Sequence, residues 1–202
     1  VTRRRAVSVA IVLLGLSGCD ASPDHASTAA TPGAAASASV AAASSASVAA
    51  ADASSSPARW DGYGALRLGM DEASFRRAWA GELKGGAAAG SDCAVWTPSV
   101  SASPAPLSFM LEHGRFVRYD VRSAQEIAPG GGQVGMSRAA IEQRYAGRIS
   151  ASPHKYEAGA FTLRIAEAST PAALLFEVGA DGKVRGWRVG LPPQVDYVEG
   201  CG

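Results

Sequence analysis

The side chains that commonly carry acid–base or nucleophilic chemistry are scarce: three His and three Cys in 202 residues. His25 lies in an Ala/Ser tract, His113 in a Glu-His-Gly turn signal and His154 in Ser-Pro-His-Lys-Tyr. None neighbours a Ser or Cys in a strand-to-helix nucleophile turn, and G-x-S-x-G is absent from the sequence. His154 could meet Glu157 or Asp181 only through the fold. Asp71 and Glu72 begin a helical pattern, where carboxylates favour the positive helix end. Gly130–Gly135 reads GGGQVG and matches G-x-G-x-x-G literally. A dinucleotide site needs a strand running into the first glycine. Here Pro129 precedes it, and the nearest strand pattern ends near Arg122. A flexible link between two units accounts better for these glycines. The residues therefore predict no catalytic site, no cofactor and no metal.

The elements that would position any other site come from a smaller part of the chain than its length suggests. Arg3, Arg4 and Arg5 precede an apolar run, Ala6–Leu16. Eleven apolar residues after a basic start predict a secretory leader over residues 1–18, because a bilayer span needs roughly 20. Residues 21–58 hold 17 Ala and 10 Ser, with Pro23, Pro32 and Pro57, and predict a disordered tether. Only residues 59–202 remain to bury a core. Without the leader's arginines the chain carries 16 Lys and Arg against 18 Asp and Glu, about −2. That balance gives no basic excess for nucleic acid.

Leu16-Ser17-Gly18-Cys19 resembles the lipobox of bacterial lipoproteins, whose Cys is lipidated and opens the mature chain. The resemblance implies Cys19 as the lipidation site, attachment to membrane through the lipid, and a cell-envelope location facing the periplasm. Several acyl chains, each methylene contributing about 0.8 kcal/mol, anchor a soluble domain stably. Asp20 follows, which in the best-studied sorting system favours the inner membrane. Cys93 and Cys201 are then an even pair in an oxidising compartment, and a disulfide is expected. Neither has a Cys or His at ligand spacing. The loop-entropy picture assigns so long a closure about 4–5 kcal/mol as an upper figure.

An internal repeat organises the rest. Gly69–Gly81 reads GMDEASFRRAWAG and Gly135–Gly147 reads GMSRAAIEQRYAG. Phe75 and Trp79 answer Ile141 and Tyr145 as i,i+4 apolar pairs. Asp71 and Ser137 sit where N-caps belong, and Gly81 and Gly147 where helices stop. Gly114–Val121 (GRFVRYDV) likewise answers Gly182–Val189 (GKVRGWRV), each following an apolar run and a turn signal. Phe161–Ile165 adds a strand. The expected fold is α+β: two tandem helix-plus-antiparallel-hairpin repeats, residues 59–126 and 127–202, with the sheet carrying its helices on one face.

This arrangement resembles the fold of β-lactamase inhibitor protein, and the unit resembles the small lipoproteins that assist outer-membrane protein assembly. Tyr63–Met70, Ala128–Met136, Pro153–Tyr156 and Pro192–Cys201 also resemble short bacterial envelope proteins sometimes labelled lectins. The first resemblance implies a protein partner, as an assembly factor or inhibitor-like module. The second implies glycan binding, and it is narrowly the favoured expectation.

Tyr119 and Trp187 occupy equivalent places in the two hairpins, beside Arg118 and Arg188. Their face is either the core beneath the helices or an exposed recognition surface, since aromatic rings and arginine suit both sugar stacking and protein contact. Tyr119, Trp187, Trp96, Arg118 and Arg188 are the candidate ligand-binding residues. Trp60 and Tyr63 are further candidates or pack the start of the domain.

Overall fold

The computed structural model describes residues 56–100 and 106–201; the leader, Cys19 and most of the tether lie outside the described residues. The described chain opens with three two-residue strands, β1 (Ala58–Arg59), β2 (Gly62–Tyr63) and β3 (Leu66–Arg67), in a small antiparallel sheet. Then follow α1 (Glu72–Ala78), β4 (Leu83–Ala87), β5 (Cys93–Pro98), β6 (Leu107–Glu112) and β7 (Arg115–Val121). The second half holds α2 (Arg138–Arg144), β8 (Ile149–Pro153), β9 (Phe161–Ala166), β10 (Ala173–Val178) and β11 (Val184–Gly190), then a 3-10 turn at Gln194–Asp196. Strands β4 to β11 form one eight-stranded antiparallel sheet, ordered β4-β5-β6-β7-β11-β10-β9-β8.

Both helices are seven residues long, too short to persist alone, and each rests on a cap and one buried apolar residue. The Asp71 carboxylate accepts from the Ser74 N–H at 2.9 Å, and the Ser137 hydroxyl accepts from the Ala140 N–H at 3.2 Å. Phe75 and Ile141 are fully buried. The Gly69 N–H donates to Phe116 O at 2.7 Å, and the Gly135 N–H donates to Val184 O at 2.8 Å. One turn later Glu72 donates to Gly114 O and Arg138 donates to Gly182 O, both at 2.9 Å. The same backbone device thus joins each helix start to the hairpin that closes its half.

Alternation along the strands divides the sheet into two faces. Phe109, Tyr119, Val121, Leu163, Ile165, Leu174, Phe176, Trp187 and Val189 share one core with Phe75 and Ile141. Aromatic edges organise it: Phe75 meets Phe109 at 5.5 Å, and Tyr145 meets Phe176 at 5.6 Å. The β1–β3 sheet joins this face through Tyr63, whose ring lies 5.4 Å from Tyr119. On the opposite face the residues after β11 lie over Ala173 and Leu175 through Val195.

The α+β class with an antiparallel sheet is observed, but the expected hairpin after each helix is an undercount. Four strands follow each helix. β4, β5 and β8 carry weak alternation because two of them are sheet edges, and an edge strand buries little. Gly85 cannot be another residue: its φ is +120°, and a Cβ there would stand 2.1 Å from Val95 O. Such a glycine pair reads as a loop in the sequence.

Candidate functional site

On the helix-bearing face Tyr119 and Trp187 form no exposed aromatic platform. Tyr119 is fully buried and Trp187 is 2 % exposed, so the pair stacks in the core and presents nothing to a sugar or a partner. This settles the open alternative in favour of core and corrects their candidacy as ligand residues. The physical reason is the β7–β11 seam, where Val189 pairs with Tyr119 and Trp187 with Val121, in the core covered by Tyr63 of the small sheet and shared with Phe75 and Ile141. The Tyr119 hydroxyl donates to Arg59 O at 2.8 Å, and burial pushes its pKa well up. Trp96 is half-buried on β5, with the Arg76 guanidinium 4.0 Å over its ring.

Arg118 and Arg188 point to the other face and are also buried, at 5 % and 3 % exposure. Neither is available to a ligand. Arg118 chelates Asp120 through Nε and Nη2, while its Nη1 donates to Gln194 O at 3.0 Å and Tyr197 O at 2.8 Å. Arg188 pairs with Glu177, and its Nε donates to Val195 O at 2.6 Å. Burial, then the neighbouring Arg118 charge, lowers the Arg188 pKa; Glu177 and Asp120 oppose that shift. Two charge-assisted clusters thus grip the backbone of Gln194–Tyr197. Arg118 and Arg188, expected to face a ligand, instead bind the protein's own segment Gln194–Tyr197.

That segment is a strap across the sheet. Cys93 on β5 and Cys201 form a disulfide, with Cα atoms 5.5 Å apart. Beside the strap lies a cleft of about 470 Å³, lined by Ser91, Glu112, Lys155, Tyr197 and Glu199 along with the disulfide itself. A second void of about 190 Å³ lies on its other flank, against Ser108, Met110 and Asp120. Glu112 accepts from the Gln194 side-chain amide, and Lys155 stands 3.8 Å from Glu199. The cleft therefore presents hydroxyl, carboxylate and ammonium groups beside a half-buried ring. No combination of residue type and spacing announces it, because its parts come from a hairpin tip, a strand end and the strap.

Other sequence candidates are placed as follows. His154 Nδ1 accepts from the Tyr156 N–H at 3.3 Å, and Glu157 is held by Arg185 at 2.8 Å. His113 is exposed, 3.4 Å from Asp92. The glycine run packs closely: Tyr145 Oη donates to Pro129 O at 2.8 Å and accepts from the Gly132 N–H at 3.0 Å. A Cβ on Gly132 would stand 2.4 Å from the Phe176 ring. The stretch is a fitted joint where a loose link was expected. Among the described residues no group of His, Cys, Asp and Glu has metal-site geometry, and no helix is long and apolar enough to cross a membrane.

No protein family matches the chain. No curated protein is a significant match either. Among solved structures it is similar to the uncharacterized protein yfeY from Escherichia coli, at 16% identity and TM-score 0.46, over 66% of this chain and 98% of that one. It is also similar to an extracellular protein containing a SCP domain from Bacillus anthracis, at 8% identity and TM-score 0.42, over 62% of this chain and 44% of that one.

Proposed function

We propose that the protein is a non-catalytic binding module of a bacterial cell envelope, tethered by lipid on Cys19, and that it takes a glycan in the cleft beside the strap. The observation that carries this reading is the cleft lining. Ser91, Glu112, Lys155 and Glu199 offer donors and acceptors to a polyol, and Tyr197 offers an apolar ring edge. Both walls are held in advance, by the disulfide on one side and by the grip of Arg118 and Arg188 on the other. Preorganisation of this kind reduces the entropy lost on binding. The matched helix starts support a tandem-repeat origin for the two halves, with four strands per unit in place of the hairpin.

A protein partner is the second reading, favoured by a different observation. β4 and β8 end the eight-stranded sheet with no neighbouring strand among the described residues. Open edges accept an added strand through backbone hydrogen bonds.

The two readings separate in one experiment. The immobilised full chain is offered solubilised envelope, divided between protease-treated and periodate-treated portions, beside Glu112→Gln and Lys155→Ala variants. Capture that survives protease, is lost to periodate and weakens at least tenfold in both variants is the expected result. Capture lost to protease and indifferent to periodate sinks the glycan reading in favour of the protein one.

A further inference from the structure

The strap has two segments with different fastenings. Gln194–Tyr197 is clamped by Arg118 and Arg188, and its own turn is closed by Val195 N–H to Leu191 O at 2.9 Å and Asp196 N–H to Pro193 O at 3.0 Å. Beyond it, Val198, Glu199 and Gly200 make no hydrogen bond to another described residue except the ion pair of Glu199 with Lys155, 3.8 Å long between two exposed side chains. What holds them is the covalent bond at Cys201. Val198–Cys201 is also the shared wall between the 470 Å³ cleft and the 190 Å³ void. Both cysteines are half-buried and line the cleft, so a small thiol reaches the bond from solvent.

We infer that the Cys93–Cys201 disulfide is a redox-operated latch, whose reduction swings Val198–Cys201 off the sheet and merges the two cavities into one groove. The reductant is a dithiol. Its thiolate attacks one Sγ, the Cys93–Cys201 bond breaks, and the mixed disulfide is resolved by the second thiolate. The protein gains two electrons and two protons as two thiols, and the reductant leaves as its own cyclic disulfide. The clamp at Gln194–Tyr197 contains no sulfur and stays closed, so the motion is local. Opening uncovers Met110, which is 2 % exposed and lies against Gly200, and gives access to Ser108 and Asp120 at the floor. In the oxidised form the site is a closed-sided cleft; in the reduced form it is a longer groove whose added floor is apolar at Met110 and charge-paired at Asp120 and Arg118. The value of this change to the protein rests on the cleft being the ligand seat, but the opening itself needs no ligand to be seen.

The test is amide relaxation and side-chain spectroscopy on the full chain, oxidised, with dithiothreitol, and as Cys93→Ser. Order parameters of Val198–Cys201 fall from about 0.85 to below about 0.6 on reduction, and the Met110 methyl shifts. The Arg118 and Arg188 Nε–H signals and the amides of Val195 and Asp196 stay unchanged. Replacing the reductant by oxidised glutathione, which takes up the two electrons and two protons, restores the first spectrum. A strap that remains rigid when reduced overturns the latch. Collapse of dispersion across the whole domain overturns it too, because the bond would then be a staple for the fold. Neither result depends on any glycan being bound.

Discussion

Tyr119 and Trp187 meet edge to face across the β7–β11 seam, with ring centroids 5.9 Å apart and planes at 82°. Each comes from the last strand of its half, so this contact is where the two halves share a core. Their equivalence in sequence arises from their common position on the closing strand.

Trp187→Ala is expected to cost about 3–5 kcal/mol, the range for a large aromatic removed from a packed core. Tyr119→Phe keeps the ring and loses only the hydrogen bond to Arg59 O, about 1 kcal/mol. Urea denaturation of both variants checks the ratio. Equal effects would mean that the seam is held by the hydroxyl and not by the rings.

Arg188→Ala leaves Glu177 half-buried without its main partner and Val195 O without a donor. About 3–5 kcal/mol of destabilisation is expected. Replacing Arg188 and Glu177 together by Met and Leu is expected to recover most of that loss, because the cost lies in the stranded charge. A double-mutant cycle by chemical denaturation measures it.

The Tyr145 pKa is pushed up to about 12, first by burial, with the Gly132 hydrogen bond and nearby Arg144 and Arg148 opposing. The native state therefore holds the proton in a range where the unfolded chain releases it. Stability from this group is complete below about pH 10 and disappears as pH rises through about 12, a change of about 3 kcal/mol. Tyr63 and Tyr119 act in the same direction, both through burial. Unfolding free energies from pH 8 to pH 12 should fall along this course, and more gently in Tyr145→Phe.

The two helix caps differ in chemistry and so in pH response. Hydrogen bonds from Ser74 hold the Asp71 carboxyl below its usual range, so its capping is lost as pH falls through that lowered value. Ser137 has no such titration, and Ser137→Ala costs about 1 kcal/mol at any pH. Comparing Asp71→Asn with Ser137→Ala at pH 7 and pH 2.5 separates them: only the first difference should shrink in acid.

Much of the frame was readable from residue order. Gly-Met-Asp and Gly-Met-Ser mark helix starts because a cap needs a short acceptor side chain, and His113-Gly114 and Asp181-Gly182 mark turns where positive φ or side-chain capping is needed. The disulfide that the even pair Cys93 and Cys201 suggests is present. The edges were not readable: Gly85 and Gly86 in β4, and Ser150 and Ser152 in β8, sit on edge strands that bury too little for one-sided packing to impose a clear apolar alternation. Least legible was the role of Arg118 and Arg188. A charged residue within an apolar strand reads as surface, and the carbonyls that bury Arg118 lie 76 and 79 residues further along the chain.

The disulfide also determines how the domain bears tension. A pull between Ser56 and Cys201 has a short circuit available, from β5 through the two sulfurs to Cys201. Only the 38 residues from Ser56 to Cys93 can pay out, roughly 130 Å when fully drawn, before the covalent link takes the load. β6 to β11 lie off that line. A domain strained between these two points would stretch at its N-terminal ribbon, first helix and β4 while the seam and the gripped strap stayed slack. Reducing the bond would reroute the same force through the whole sheet.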